Sequence, residues 1–421
     1  MGQADLDRQT FLKGTAAAAG LLTIGVPSLI SGRSDAADTI KIGISEEMTG
    51  VYADVARSEV NGMQMALDAQ NKRGGVLGRK VELIIQDNAN NPGTAVQKAR
   101  ELIQSDKVVA LVGTVNSANS IATSGVAFEN KIPFLDSGGH ADAVTAEKCH
   151  WTSFRTCHTT WMETHATGYA IGKKFGKKWY FIAPDYAFGH ALVDGYNAVA
   201  KQIGATIVGI DFTPLGTPDF SAYLTKVLNA KPDCLILMTG GDDFTNAIKQ
   251  ANSMGLLGRI PIAGPQGEME TFWSLPKEAR VGYWGMEWYY NSPKVHGSNP
   301  AVSQFVKEYR SLYKRPPTAR SVFGYVSLER MMNAIDTAKS TDPVKICRAI
   351  PGQNFTALWN SASHYSEVSH QLMWPMWFGE IKASSPNGDE YDLFDVTDEQ
   401  PANAIAQSDA ELSKICSLGW P

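Results

Sequence analysis

From Ile40 onward, short apolar runs alternate with stretches whose apolar residues recur every three to four positions. The short runs read as buried strands and the slower recurrence as amphipathic helix. Runs at 40–45, 80–86, 108–113 and 132–136 are separated by helical faces built from Val60, Met63 and Leu67, and from Ala95, Ala99, Leu102 and Ile103. Alternation of this kind marks a parallel sheet with crossover helices. The pattern restarts with runs at 179–183, 206–212, 233–238 and 260–263, and its helices carry Leu192, Tyr196, Val199 and Ile203, then Phe244, Ala247, Ile248 and Ala251. Two doubly wound α/β lobes are therefore predicted, joined near Phe154-Arg155-Thr156. The rest is less regular: helices over 300–314 and 321–338 and a strand over 373–382 can complete either lobe, and the polar tail 393–421 is expected to be no more than a surface strap.

Residues 1–36 have a different pattern. Arg8 and Lys13 precede an apolar run from Gly14 to Ile30, followed by the small residues around Ser34-Asp35-Ala36. This is the layout of a cleaved export signal, with the mature chain starting near Ala37. The run is shorter than the roughly 20 apolar residues a spanning helix needs, so no anchor is expected. Arg8-Gln9 departs from a twin-arginine pair, which leaves the general secretory route open. No cysteine precedes Cys149, so a lipoprotein is not expected and the predicted location is the periplasm.

Charge and length narrow the function classes. The net charge is −5, and the first 36 residues remove three acids and three bases, so export leaves it unchanged. A basic nucleic-acid footprint is missing. The roughly 385 remaining residues exceed what one core serves, which again implies two domains. Five cysteines in an oxidising compartment give at most two disulfides and one leftover thiol. Cys234, inside an apolar run, is the expected leftover; pairing among Cys149, Cys157, Cys347 and Cys416 is open.

Motifs for catalysis are weak. Gly74-Gly75-Val-Leu-Gly78-Arg-Lys80 has the look of a phosphate loop, but it follows a helix and Val81 stands where Ser or Thr should hold magnesium, so a helix end and turn is the better reading. Cys149-His150 and Cys157-His158 suggest either a disulfide or hinge-loop ends, or zinc ligands, although the spacing fits no compact zinc module. No Gly-x-Ser-x-Gly elbow occurs. No enzyme activity, metal or cofactor is expected.

Ligands of open parallel sheets bind beyond the carboxyl ends of strands, and four such ends here are rich in small and polar residues. They are Thr114-Val-Asn116-Ser117, Asp136-Ser137-Gly138-Gly139-His140, Pro184-Asp185-Tyr186-Ala187-Phe188 and Thr239-Gly240-Gly241-Asp242. Ser117 is equally suited to cap its helix or to hold an anion. Gly138 and Gly139 would let a ligand approach the backbone.

The ordered set Ile40-Lys-Ile-Gly43, Met48-Thr-Gly50, Asn71-Lys-Arg-Gly-Gly75, Asp87-Asn-Ala-Asn-Asn-Pro92, Phe154-Arg155, Asp185-Tyr-Ala-Phe-Gly189, Gln250-Ala251 and Gly264-Pro265…Gly267 resembles the periplasmic leucine/isoleucine/valine-binding family over residues 38 to 392. The resemblance implies a type I periplasmic binding fold, two Rossmann-like lobes with parallel sheets joined by crossover strands near Thr156, Glu287 and Leu358. It divides the chain into lobe 1 (37–156 and 288–357), lobe 2 (157–287 and 358–392) and the strap 393–421. A monomer is expected that captures a small solute and delivers it to an ABC importer permease and its ATPase. By position, Ser117 matches the residue that grips a ligand carboxylate, Gly138 and His140 complete that grip, and Phe188 and Asp242 match contacts from the closing lobe. Gln266 stands where amino-acid binders carry the glutamate that pairs with the ligand ammonium, and Asn90 and Asn116 stand in place of the family disulfide. A neutral amide cannot offset desolvation of an ammonium. The predicted ligand is a small organic acid without that group, an aromatic carboxylate being one form, held among Tyr52, Asn116, Ser117, Ser137, Gly138, Gly139, His140, Tyr186, Phe188, Asp242 and Gln266. The alternatives are an amino-acid or amide binder, with Asp242 supplying the counter-charge, or a sensor feeding a chemoreceptor.

Overall fold

A computed structural model of the chain describes residues 39–421. The export signal expected over 1–36 lies outside the described residues. Among them, no helix is long and apolar enough to cross a membrane.

The first sheet contains β1 (Ile40–Glu46), β2 (Val81–Asp87), β3 (Ala110–Val112), β4 (Phe134–Asp136) and β5 (Ser153–Arg155), all parallel, in the order β2-β1-β3-β4-β5. The second contains β6 (Lys178–Pro184), β7 (Thr206–Thr213), β8 (Cys234–Leu237), β9 (Ile262–Gly264) and β10 (Tyr283–Met286), again parallel to one another. After a small pair formed by β11 (His364–Tyr365) and β12 (Leu372–Met373), β13 (Met376–Ile381) and β14 (Phe394–Gln400) extend the second sheet antiparallel, giving the order β14-β13-β10-β9-β8-β6-β7. Two α/β lobes with parallel sheets result, the fold class expected. The inner strands are mostly apolar because both of their faces are buried, whereas the edge strands β2 and β7 are half-buried and carry polar residues.

The tail is a correction. Instead of a passive strap, 393–421 supplies the edge strand β14, and Cys416 is disulfide-bonded to Cys149 in the loop before β5. The strand looks polar because an edge strand has one wet face: Phe394 and Val396 are buried while Asp395 and Thr397 point outward or lie at the rim. Cys157, Cys234 and Cys347 are free and buried.

The segments that the resemblance assigns to lobe crossings are bonded to one another. The His158 N–H donates to Glu287 Oε1 at 2.9 Å, and the Trp288 indole donates to the Leu358 carbonyl at 2.6 Å. Arg155 is fully buried and donates to the carbonyls of Gly139 and Ala141 at 3.0 and 2.6 Å, which pins the loop after β4.

One helix crossing prepares the site. The helix Ala53–Lys72 packs on the helix Ala319–Ala338 so closely that a Cβ on Gly62 would sit 1.9 Å from the Ser321 carbonyl oxygen, and one on Gly324 would sit 2.0 Å from that of Glu59. Only glycine permits that approach. One turn from the crossing, it places Arg320 beside Glu59, with Nη1 3.0 Å from Oε1.

Candidate functional site

Between the lobes, the carboxyl ends of the strands border a cleft of about 470 Å³, its open mouth included. Tyr52, Val115, Ser117, His140 and Arg320 line it from lobe 1; Tyr186, Phe188, Leu237, Met238, Phe244, Gln266 and Glu268 are among the residues lining it from lobe 2. Tyr52 and Tyr186 meet across it, hydroxyl to hydroxyl at 2.8 Å.

The helix Ser117–Glu129 starts at this space. Asn116 is its N-cap, its side-chain oxygen accepting from Ala118 and Asn119, while its amide nitrogen donates to Asn90 at 2.7 Å. That hydrogen bond joins the two positions where the resemblance places a disulfide. The Ser117 hydroxyl accepts from the Ala141 N–H at 3.0 Å, so its own proton points to a different acceptor. Capping falls to Asn116, and Ser117 is left to face the cleft.

Tyr52, Ser117, His140, Tyr186, Phe188 and Gln266 are thus brought together, and the other five expected residues are not. Asn116 serves the helix end. Ser137 donates to Glu59 inside lobe 1. At Gly138 and Gly139 the close approach is made by protein: Cβ atoms there would meet Glu59 and Arg320, and Ser120, respectively. Asp242 is exposed and absent from the lining, because the chain turns at Gly241 so that the neighbouring Asp243 is buried instead, accepting from the Gly216 N–H. Asp242 therefore cannot provide the counter-charge suggested above.

The charges that do face the cleft were missed. Arg320 donates through Nε to Glu268 Oε1 at 2.8 Å, through Nη1 to Glu59 at 3.0 Å and to the Gly138 carbonyl at 3.2 Å. With its amide turned to the orientation that satisfies both ends, Gln266 fits between Arg320 and Glu163, its oxygen 3.0 Å from Nη2 and its nitrogen 3.1 Å from Glu163 Oε1. The guanidinium is saturated by protein and offers little to a ligand anion. Glu268 Oε2 is buried, has no hydrogen-bond partner and belongs to a residue of the lining. A signal for these residues exists in the sequence: Glu59 lies on the apolar stripe of Val55, Ala56 and Met63, and Arg320 just before that of Val322 and Phe323. A charge on a buried face requires a buried partner.

Burial governs the titration of this cluster. It pushes Glu59 up to about 8, against the opposing pull of Arg320 and Ser137, and Asp136 up to about 7, against Arg155. Burial, then the nearby Glu287, holds Glu163 well above the usual carboxylate range. At Glu287 burial also acts upward, yet His140 and His158 together overcome it and keep the group well below that range. Burial lowers His140, with Glu287 opposing.

A family model for periplasmic binding proteins matches residues 39–388. The chain is 24% identical over 352 residues to Leu/Ile/Val-binding protein homolog 7 of Brucella suis, covering 80% of this chain and 87% of that one. Its structure is similar to that of a periplasmic binding protein from Burkholderia mallei, with 27% identity, a TM-score of 0.84 and coverage of 91% and 100% of the two chains. It also shares its fold, at 21% identity, a TM-score of 0.77 and coverage of 86% and 98%, with an ABC-transporter solute-binding protein of Rhodopseudomonas palustris in complex with 3,4-dihydroxybenzoic acid.

Proposed function

Because the chain belongs to the periplasmic binding protein family, whose fold serves solute capture outside the cytoplasm, we propose that it closes on a small, flat organic acid and presents it to the permease of an ABC importer as an exported, unanchored monomer. The observation that carries the ligand class is the cavity itself: the Ser117 hydroxyl at a helix start faces a wall of Tyr52, Tyr186, Phe188 and Phe244. A hydroxyl beside a helix N-terminus suits a carboxylate, and ring walls suit a planar body. With Gln266 neutral and Glu268 already paired with Arg320, little negative charge remains to favour a free ammonium. The Rhodopseudomonas protein with its bound dihydroxybenzoic acid is an example of this fold holding such a solute.

A second reading rests on Glu268. Its buried, unpartnered Oε2 lies in the lining two residues after Gln266 and would accept from a ligand ammonium, making the solute an amino acid. It would equally accept from a ring hydroxyl.

Mass spectrometry of solutes released on denaturation, followed by thermal shift with benzoate-like acids and with leucine, isoleucine and valine, separates the readings. A ligand at a hundred times its dissociation constant adds about 2.7 kcal/mol to stability. Aromatic acids should stabilise the protein and Ser117→Ala should weaken them by about 1–3 kcal/mol, as expected for a hydrogen bond to a charged group. Stabilisation by leucine that disappears in Glu268→Gln would establish the second reading instead.

A further inference from the structure

Beside the cavity, three ligand-type side chains converge from both lobes. His140 follows β4, Glu163 lies on the helix Thr160–Phe175 that opens lobe 2, and Glu287 follows β10. One oxygen of each carboxylate and a ring nitrogen of His140 lie within 4.8 Å of one another, and all three residues are buried. His140 Nε2 is 2.8 Å from Glu287 Oε2 and 3.6 Å from Glu163 Oε1. We propose that this cluster binds one divalent transition-metal cation of the zinc type, bridging the two lobes at the base of the cleft.

Three features support a cation there. Glu163 Oε2 is completely buried and has no hydrogen-bond partner, so the acid's second oxygen is unused by the protein. His158 and its own N–H hold Glu287 Oε1 at 2.8 and 2.9 Å, which fixes that carboxylate and leaves Oε2 turned to the cluster, the outer support that ligating carboxylates generally have. Imidazole nitrogen and carboxylate oxygen are also both ligand types that zinc takes, and open zinc sites use three protein ligands that leave a further position. Bonds of about 2.0–2.2 Å to such a metal put tetrahedral ligand atoms about 3.4 Å apart, between the two separations seen here. Arg320, the cation that lines the cleft, is already matched by Glu59 and Glu268. Because His140 and Gln266 line the solute cavity, the open coordination position lies next to the solute; that last step alone rests on the proposed function.

The test uses the mature chain, freed of metal with a chelator and of solute by denaturation and refolding. Titration with Co2+ alone should give one equivalent per chain with visible d–d absorption, and Zn2+ should displace it. Glu163→Gln and His140→Gln should each weaken Zn2+ at least tenfold while the melt stays cooperative. Absence of stoichiometric uptake by the unmodified chain overturns the site without reference to any variant. So does uptake that survives Glu163→Gln but is lost in His190→Ala, which would assign the metal to the exposed His190–Asp185 pair. Uptake is read without solute, so metal binding by a protein that ignores aromatic acids would reject only the ligand class.

Discussion

The two walls of the cleft are built on different principles. The lobe 1 wall is a network of buried polar groups: Glu47 takes hydrogen bonds from Asn88, Asn119 and the Val115 N–H, Glu59 is bound by Ser137 and Arg320, and Asp136 by Ser120 and the Gly139 N–H. The lobe 2 wall is mostly rings and aliphatic chains, with Phe244 against Phe272 and Trp284, and Phe188 beside Tyr186. Groups that bond each other hold the first wall in one arrangement and leave few contacts for a solute, whereas the second wall offers surface that only a solute or closure can cover. Specificity then concentrates in unspent polar atoms of the lining, among them the Ser117 hydroxyl proton, Thr239 Oγ1 and Glu268 Oε2.

Removing the cation at the centre of the polar wall should have the largest effect. Arg320→Met leaves Glu59 and Glu268 buried without their partner, and breaking a buried pair from one side costs about 3–5 kcal/mol. Urea unfolding should show a loss in that range, with the midpoint shifted and the slope preserved. A loss under about 1 kcal/mol would mean that the wall needs no cation.

This division was only partly legible in the sequence. The sheets were readable because their inner runs are buried on both faces and even the half-buried edge runs 81–87 and 206–213 keep apolar residues, and the aromatic wall was accessible because Tyr186 and Phe188 follow a strand end. The polar wall was not. Its bonds join residues far apart in the chain, Glu59 to Arg320 and His140 to Glu287, and no local pattern pairs them. Asp242 was misplaced for a smaller reason: the left-handed turn at Gly241 exchanges which of two adjacent aspartates is buried. β14 was missed because an edge strand with one wet face resembles a loop.

The walls are also tied at a distance. The tail leaves lobe 2 as β14 and ends on lobe 1, where Cys416 joins Cys149, the Trp151 N–H donates to the Leu418 carbonyl at 2.7 Å, and Arg348 lies 4.6 Å over the Trp420 ring. A bridge across 267 residues limits the unfolded chain, and Cys416→Ser should cost about 2–4 kcal/mol by thermal or urea unfolding. An unchanged melt would show that the Trp420 contacts suffice.

The polar wall should also respond to pH where the aromatic wall does not. Glu59 and Asp136 keep their protons in the folded chain up to about 8 and about 7, from ordinary values of 4.5 and 3.8. The folded state therefore binds more protons than the unfolded one, and the stabilisation, complete below the ordinary values, is lost as pH rises through the folded ones. Buried histidines oppose this at lower pH: burial holds His370 down to about 4, so its contribution grows between there and 6.5. Above 6.5 the carboxyls act without that opposition. Stability should fall between pH 6.5 and 8.5, by at most about 1.4 kcal/mol per pH unit for each group, and Glu59→Gln should flatten the fall. A rising profile in that window would overturn the assignment.

The smallest effect is expected where the walls meet as equals. Tyr52 and Tyr186 share one hydroxyl contact at 2.8 Å, and burial keeps both phenols protonated, so the bond is neutral and its net worth is about 0.5–1.5 kcal/mol. Each ring keeps its apolar contacts when the hydroxyl is removed, so Tyr186→Phe tests the bond rather than the wall. A bond made between the lobes should favour a closed form and, on the proposed function, solute affinity through it. A double-mutant cycle with Tyr52→Phe, read by calorimetry with the identified solute, should give a coupling of that size, and small-angle scattering should show the free variant shifted toward the open form. A coupling of zero with unchanged scattering would mean that closure is driven by the solute on the aromatic wall and by Arg320 with Glu268, and that the two hydroxyls merely meet once closure has occurred.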